Sequence, residues 1–320
     1  MEETEKSALE PDKSSSEAIL NAAQSKNTRI AYQKGWECFS HWCHTEGMQP
    51  CEASPDDVAR FFVELAGNER PGGEKPLALN TLRIYRSGLN DHWHNSGAPS
   101  PASAKIIDRI FQGLARIRDH RPRRVKALRE FQLLSMLERC NDSRNGLRDA
   151  ALLSMGFAAA LRRSELCALQ VEDLERRGAY QMIVHLRRSK TDAPGAGQKV
   201  AVIEGKAIKP IRNMERWLEA SGIENGYLFQ TIRRDGTATG RHVDPTEVAR
   251  IVKRYVRKID LDPKDYSGHS LRAGFVTSAA AHHARIDKIM DITRHKSAET
   301  VLKYIRDEES FVDHAGASFL

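Results

Sequence analysis

The spacing of apolar residues along the first third of the chain constrains its fold more than any other feature. Between Thr28 and His44 they recur at three- and four-residue steps, the period of an amphipathic helix. Ser54-Pro-Asp-Asp is a second helix start, because it puts a proline and acidic residues in the first turn. Similar patterns from Asn80 or Thr81, and over residues 102–117, predict further helices. Residues 16–117 are therefore interpreted as an all-helical domain.

The pattern changes after residue 127. Two helices are expected up to Ala160, and apolar and polar residues then alternate from Tyr180 to Arg187 with the period of a β-strand. A glycine-rich loop from Asp192 and a returning strand at residues 198–203 complete a hairpin. Further helices are predicted at 207–220, 244–258, 269–282, 285–292 and 297–305. Residues 127–305 are thus predicted to form a second domain, mainly α with a small antiparallel β-hairpin.

A strongly basic stretch separates the two domains. Six of the eleven residues from Arg116 to Lys126 are arginine or lysine, and Pro122 blocks a continuous helix. Its position between two periodic regions favours a linker, residues 118–126, that follows a phosphate backbone. An exposed charged loop is the alternative. The candidate phosphate contacts are Arg116, Arg118, Arg121, Arg123, Arg124 and Lys126.

The net charge favours a polyanionic partner. It is +7 for the whole chain, but residues 1–13 hold five acidic residues against two lysines, so the remainder carries +10. A merely basic protein is the alternative reading of this charge. Residues 1–15 are acidic, serine-rich and without apolar periodicity, and they are predicted to be a disordered tail.

The cysteines and the apolar content narrow the class of protein. Five scattered cysteines without a CxxC pair indicate reduced thiols rather than a disulfide framework. The cysteines and histidines within residues 38–51 fit no common zinc spacing, so helix packing is expected there and no metal site. Without a signal peptide or a long apolar run, we expect a cytoplasmic, nucleoid-associated protein and no membrane partner.

Six polar residues of the second domain suit the cleavage of a phosphodiester without a metal ion. They are Arg162, Lys190, His269, Arg272, His295 and Tyr304. Guanidinium groups match phosphate oxygens, and His269 and Arg272 share one helix face because they are three residues apart. The Tyr304 phenol, with an ordinary pKa of about 10, needs cations or a base to act as the nucleophile. Lys190 could protonate the leaving oxygen, and His295 is a further donor or proton shuttle.

The order and spacing of these residues resemble the tyrosine recombinases, also called the phage integrase family. Ala-Leu-Arg162-Arg-Ser-Glu165-Leu resembles the family's first arginine box, Arg-Ser-Lys190-Thr its hairpin lysine, and Gly-His269-Ser-Leu-Arg272 its HxxR box. The interval from His295 to Tyr304 matches as well, and residues 268–272 and 302–306 look most like Cre-like members. Residues 27–36 and 80–89 resemble the family's first domain, so the resemblance covers residues 15–320.

One segment departs from the family pattern. Residues 290–294, Met-Asp-Ile-Thr-Arg, stand where Leu-Gly-His is more usual around the second histidine. The departure leaves His295 itself in place, but it makes the conformation of this loop less predictable from the resemblance.

The resemblance implies a mainly α, two-domain fold, with a helical core-binding (SAM-like) domain and an α+β catalytic domain closing around double-stranded DNA as a C-shaped clamp. It implies that Tyr304 forms a 3′-phosphotyrosyl bond, and that a dimer on each site and a tetramer on two sites exchange strands through a Holliday junction. No metal, ATP or other cofactor is implied. Glu165 would position Arg162, with a plain surface acid as the alternative. The tail at residues 306–320 would dock on a neighbouring protomer or pack on its own domain.

Two other functions stay open at this point. A type IB topoisomerase-like enzyme would share the phosphotyrosine chemistry but relax supercoils without site specificity. A non-catalytic DNA-binding regulator would bind DNA without cleaving it. The candidates for reading bases in the DNA groove are the helix residues Lys34, Arg83 and Arg86 and the segment around Arg241–Arg250, with contact to phosphate or to solvent as the alternatives.

Overall fold

The structure is a computed structural model that describes residues 24–67, 75–118, 125–187 and 197–306. Contacts divide the chain into two compact units, Met1–Pro122 and Arg123–Leu320. The described residues are mainly helical, with small antiparallel sheets in the second unit, which confirms the predicted fold class. Among the described helices, none has the length and apolar character required to cross a bilayer.

The first unit is built from helices that pack around aromatic side chains. The described helices are α1 (Lys26–Thr45), α2 (Pro55–Ala66), α3 (Leu79–Asn95) and α4 (Lys105–Ile117). The predicted start at Ser54 is confirmed, because its hydroxyl accepts from the Asp57 backbone N–H while the Asp57 carboxylate accepts from the Ser54 backbone N–H. The apolar faces meet in one core, which includes Phe39, Phe61, Phe62, Trp93 and Phe111.

Helices α1 and α3 approach each other closely through a reciprocal pair of glycines. A Cβ atom placed on Gly35 would lie 2.9 Å from the Cα atom of Tyr85. A Cβ atom on Gly88 would lie 2.8 Å from both the Cα atom and the carbonyl oxygen of Tyr32. Because backbone cannot move aside as a flexible side chain can, both positions require glycine for this packing.

The helices of the second unit occur in the predicted order, with one further short helix, Arg163–Ala168, that was not predicted. They are α5 (Glu130–Glu138), α6 (Arg144–Ala158), α7 (Arg163–Ala168), α8 (Pro210–Ser221), α9 (Pro245–Lys258), α10 (His269–Ala281), α11 (Ile286–Thr293) and α12 (Ala298–Arg306). The helices predicted from residue 207 onwards are confirmed, each with ends that agree to within one turn.

The β-structure is larger than the single hairpin predicted from the sequence. Strands β2 (Gln181–Leu186) and β3 (Gln198–Ile203) form that hairpin, but β1 (Leu174–Arg176) adds to the free edge of β2. A separate antiparallel pair joins β4 (Gln230–Ile232) to β5 (Ala238–His242). The prediction missed β1 because three residues are too few to show alternation. It missed the second pair although Asp235-Gly236 is a typical hairpin turn.

Helix α10 lies at the centre of the second unit. Its residues Ser270 to Gly274 are buried, and the Ser270 carbonyl accepts from the Leu128 backbone N–H at 3.0 Å. A Cβ atom on Gly274 would lie 1.8 Å from the Leu128 carbonyl oxygen, so the chain before α5 lies directly against this helix. Because α10 is enclosed in this way, the side chains at its first turn start from fixed positions.

The paired glycines generate a prediction about stability. Gly88→Ala should lower the free energy of unfolding of the first unit by about 1–3 kcal/mol, because the new methyl group must push α1 away from α3. Urea unfolding followed by far-UV circular dichroism measures this. Gly113→Ala on α4 is the matched control, since nothing lies within 4 Å of its added Cβ, and it should stabilise by about 0.5–1 kcal/mol. Equal effects of the two substitutions would contradict the close approach.

Candidate active site

Tyr304 lies on α12, where its hydroxyl group is 2.7 Å from Nε2 of His269 at the start of α10. A small apolar cluster holds α12 against α10 and α11, and Tyr304 packs at its edge. The buried members of this cluster are Val276, Ala280, Ile289 and Val301. The fold therefore brings the candidate nucleophile into hydrogen-bond contact with a candidate base that is 35 residues away in sequence.

His295 is the second imidazole beside the phenol. Its ring centroid lies 6.2 Å from that of Tyr304, with the ring planes 28° apart. Burial, and then the positive charges of Arg272 and Arg162, lower the pKa of His295 to about 4. Burial and the same two arginines, together with Arg163, also lower the pKa of His269. Since both pKa values lie below the ordinary range of histidine, both imidazoles are neutral at pH 7 and can accept a proton.

Thr293 fixes which nitrogen of His295 carries the proton. Its hydroxyl oxygen lies 2.7 Å from the Ile289 carbonyl oxygen and 2.9 Å from Nδ1 of His295. A carbonyl can only accept, so the hydroxyl donates to Ile289 and Nδ1 of His295 donates to the hydroxyl. Satisfying both contacts therefore leaves the lone pair of His295 on Nε2.

Arg272 is buried inside the second unit with 2% of its surface exposed. Its guanidinium donates to the Ala160 carbonyl at 2.6 Å and also to the Thr293 carbonyl. Burial, and then the charges of Arg162 and Arg294, lower the pKa of Arg272 to about 10. That value still leaves the group protonated at neutral pH, so a fixed positive charge lies beside the two imidazoles.

Arg162 stands at the N-terminus of α7 and is bonded to Glu165 twice. Its guanidinium lies 2.6 Å from Oε1 of Glu165, and its backbone N–H donates to Oε2 at 2.9 Å. Burial raises the pKa of Glu165, but the charges of Arg294 and Arg162 more than offset it, so the carboxylate is ionised. The Arg162 side chain keeps 22% of its surface exposed against 3% for Glu165, which leaves it accessible to a ligand.

Sequence reasoning missed two residues of this arrangement, Thr293 and Arg294. The Arg294 guanidinium lies 2.7 Å from Oε2 of Glu165, on the side of the carboxylate that also accepts from the Arg162 backbone. The signal was present in the sequence, because residues 290–294 depart from the family pattern next to His295. The departure alone predicts no partner for Arg294, because sequence spacing does not report a contact between distant residues.

One predicted catalytic residue and three predicted phosphate contacts lie outside the described part of the chain. They are Lys190, Arg121, Arg123 and Arg124. The described ends of the predicted linker are each tied to their own unit. Arg118 donates to the carbonyls of Leu77, at 2.6 Å, and Ala66. Lys126 lies 2.8 Å from the Asp265 carboxylate, to which its ammonium is paired. Both described ends of the predicted linker are therefore held by contacts within their own units.

The other candidate DNA contacts divide into two groups. Arg86 is used within the first unit, because it pairs with Asp108 at 2.7 Å, donates to the Ala102 carbonyl and lies over the Phe111 ring. The others have exposed side chains that a polyanion can reach. They are Lys34, Arg83, Arg116 and Arg241. Within the described residues, no group of three or more His, Cys, Asp or Glu side chains is placed to hold a metal ion.

Comparison with known proteins extends these observations. The sequence model described as the Phage integrase family matches residues 126–310. The chain is 32% identical over 301 residues to the integrase/recombinase xerD homolog of Selenomonas ruminantium, which covers 92% of this chain and 86% of that protein. It is 25% identical over 294 residues to the recombinase cre of Escherichia phage P1, which covers 85% and 81%.

Solved structures show the same fold. The XerH site-specific recombinase in a post-cleavage complex with palindromic difH substrate matches with a TM-score of 0.65 at 16% identity, over 90% of this chain and 79% of that one. A lambda integrase dimer bound to a COC′ core site matches with a TM-score of 0.60 at 17% identity, over 92% and 93%. The family match spans more than half of the chain, and the xerD homolog aligns with nearly all of it. The chain therefore belongs to the phage integrase family and is a tyrosine-type site-specific recombinase.

Proposed function

We propose that this recombinase cuts and rejoins double-stranded DNA through a covalent bond between Tyr304 and a 3′-phosphate. The observation that carries the proposal is the 2.7 Å contact between the Tyr304 hydroxyl and Nε2 of His269, beside the buried cation of Arg272. Support comes from the relatives named recombinases and from the similar XerH and lambda integrase structures, which are DNA complexes.

In the proposed cleavage step, each catalytic group has a defined role. The Tyr304 oxygen attacks the phosphorus atom, its proton passes to the neutral Nε2 of His269, and the bond from phosphorus to the 5′-oxygen breaks. The leaving 5′-oxygen takes a proton, which we assign to Lys190 from its resemblance to the family's hairpin lysine. Rejoining reverses the step with a 5′-hydroxyl as the nucleophile, so the phosphotyrosyl bond conserves the energy of the broken bond.

The arginines supply the electrostatic part of catalysis. Negative charge accumulates on the phosphate oxygens in the transition state, and fixed cations stabilise it without having to reorganise. Arg272 is fixed by two backbone carbonyls, and Arg162 is fixed by Glu165. We therefore assign the phosphate clamp to these two arginines, and to Glu165 the orientation of Arg162.

Assembly follows from the reaction, since exchange between two duplexes needs more than one active site. We propose a dimer on each recombination site and a tetramer on two sites, with a Holliday junction as the intermediate. The exposed cations Lys34, Arg83, Arg116 and Arg241, and the basic linker, are the proposed contacts with the DNA backbone. The apolar segment at residues 306–320, of which residues 307–320 lie outside the described part, is the proposed contact with a neighbouring protomer.

Covalent trapping tests the proposed function. Wild type and Tyr304→Phe are incubated in EDTA with nicked duplexes that tile the locus encoding the chain. Nicking lets the short 5′-hydroxyl strand diffuse away, so a phosphotyrosyl adduct persists on a denaturing gel. We expect an adduct with wild type alone and DNA binding by both proteins, and sequencing the adduct identifies the site. Tight binding without an adduct would indicate a non-catalytic regulator, and adducts spread over all duplexes a topoisomerase-like enzyme.

The role of Arg162 is testable on the trapped duplex. Arg162→Ala should slow single-turnover adduct formation by about a hundredfold or more, because a transition-state donor is lost. Arg257→Ala is the matched control, since it removes an exposed arginine of the same unit on α9 and should leave the rate nearly unchanged. Similar losses in both variants would show a general effect of charge on binding, and the clamp assignment would fail.

The lowered pKa values of the two histidines predict the pH dependence of cleavage. Because burial and neighbouring arginines lower the pKa of both imidazoles, the base His269 keeps its lone pair to lower pH than an ordinary histidine does. The single-turnover rate should therefore decline less between about pH 7.5 and pH 6.5 than that of an enzyme whose base has an ordinary histidine pKa. Circular dichroism at each pH controls for unfolding. A rate that falls in this range with the slope of one proton would contradict a neutral, buried base.

A further inference from the structure

Arg294 has a backbone conformation that arginine rarely adopts. It ends helix α11 with φ 58° and ψ 39°, in the left-handed region that favours glycine, and its backbone N–H donates to the Met290 carbonyl. Every residue with a Cβ atom is disfavoured there. The arginine therefore occupies this position against its backbone preference.

The side chain of Arg294 reaches from the end of α11 to the turn before α7. It is 5% exposed, and one terminal nitrogen lies 2.7 Å from Oε2 of Glu165. The other donates to the Ile292 carbonyl at 2.7 Å and more weakly to the Ala159 carbonyl at 3.3 Å. One guanidinium thus ties the segment just before His295 to the turn that leads into Arg162.

Arg294 contacts the groups that hold both arginines of the phosphate clamp. Glu165 divides its carboxylate between the Arg162 guanidinium on Oε1 and Arg294 on Oε2, so the carboxylate cannot turn without breaking an ion pair. The Ala160 carbonyl accepts from Arg272 at 2.6 Å and lies 3.4 Å from the Arg294 guanidinium. Both clamp arginines therefore depend on atoms that Arg294 also contacts.

Stability alone does not account for an arginine at this position. Nε of Arg294 is buried without a hydrogen-bond partner among the described residues, which is unfavourable. The group is also buried near two like charges, those of Arg162 and Arg272, and buried ion pairs contribute little net stability. Strain that persists against these costs is typical of functional positions.

We propose that Arg294 is a positioning residue for the phosphate clamp, acting on Arg162 through Glu165 and on Arg272 through the turn at Ala160. The inference rests on the proposed function, because the clamp has a role only if a phosphate is cleaved. Arg294 itself touches neither nucleophile nor phosphate in this role. It determines the orientation in which the two arginines meet the phosphate.

The test compares Arg294→Gly with wild type on the DNA duplex recovered by covalent trapping. Glycine suits the left-handed backbone, so the substitution removes the guanidinium and relieves the strain together. We expect the single-turnover rate of adduct formation to fall roughly 10- to 100-fold, as for a misaligned catalytic group. The dissociation constant for DNA should change less than about twofold, because the clamp contributes to the transition state rather than to binding. Weaker DNA binding, seen as a larger dissociation constant, together with an unchanged rate of adduct formation would overturn the proposal.

Asp260→Gly is the matched control. Asp260 also has a left-handed backbone, with φ 58°, and it is exposed in the same unit beyond the end of α9. The control rate should equal that of wild type. If Arg294→Gly fails to fold, Arg294→Lys is the alternative variant, because lysine keeps the positive charge and the aliphatic part of the side chain but lacks the forked guanidinium. It should show the same loss of rate with an unchanged melting temperature. Wild-type rates in the variant that folds would overturn the proposal.

A double-mutant cycle with Glu165→Gln separates positioning from a general structural effect. Because part of the effect of Arg294 runs through Glu165, the loss of rate in the double variant should be smaller than the product of the two single losses, whereas losses that multiply in full would overturn the proposal. The result for the wild-type chain distinguishes failure of the proposed function from failure of the inference about Arg294. A wild-type chain that forms no adduct overturns the proposed function and this inference with it. A wild-type adduct with an undiminished rate in Arg294→Gly overturns the inference alone.

Discussion

The arrangement of the second unit depends on the burial of one guanidinium, that of Arg272. A charge with 2% exposure is tolerable only if its donors find acceptors, and here they are backbone carbonyls of two distant segments, at Ala160 and Thr293. Meeting that need brings the turn before α7 and the end of α11 to the start of α10. The same three segments carry Arg162, His295 and His269. The solvation requirement of one cation thus assembles the candidate site, where burial and then the charge of Arg272 lower the pKa of both imidazoles.

The sequence allowed prediction of the features that have a local signal. The helices show three- and four-residue apolar periodicity, the strands β2 and β3 alternate, and Ser54 has the residues of a capping box. The gathering of Arg162, His269, Arg272, His295 and Tyr304 was inferred from order and spacing through the family resemblance. In the structure these five side chains lie together, as the contact of His269 with Tyr304 and the effect of both arginines on both histidines indicate.

What the sequence could not provide depends on tertiary contacts. The pairing of Arg294 with Glu165 joins residues 129 apart, and no periodicity reports such a contact. The tautomer of His295 depends on a threonine hydroxyl that is oriented by its own helix. The contacts of Arg86, Arg118 and Lys126 within their own units could not be predicted for the same reason. The sequence does not show whether the partner of a basic residue is a phosphate or a group of the same chain.

The small apolar cluster under α12 has a kinetic consequence. Val301 anchors the helix of Tyr304 to α10 and α11, where it packs with Val276, Ala280 and Ile289 in a cluster separate from the main core. Because little apolar surface holds it, we expect this helix to open at a lower free-energy cost than the main core. Detachment of α12 carries the phenol away from its base, whereas both arginines remain on the core. The position of the nucleophile should therefore depend on the local opening equilibrium of α12.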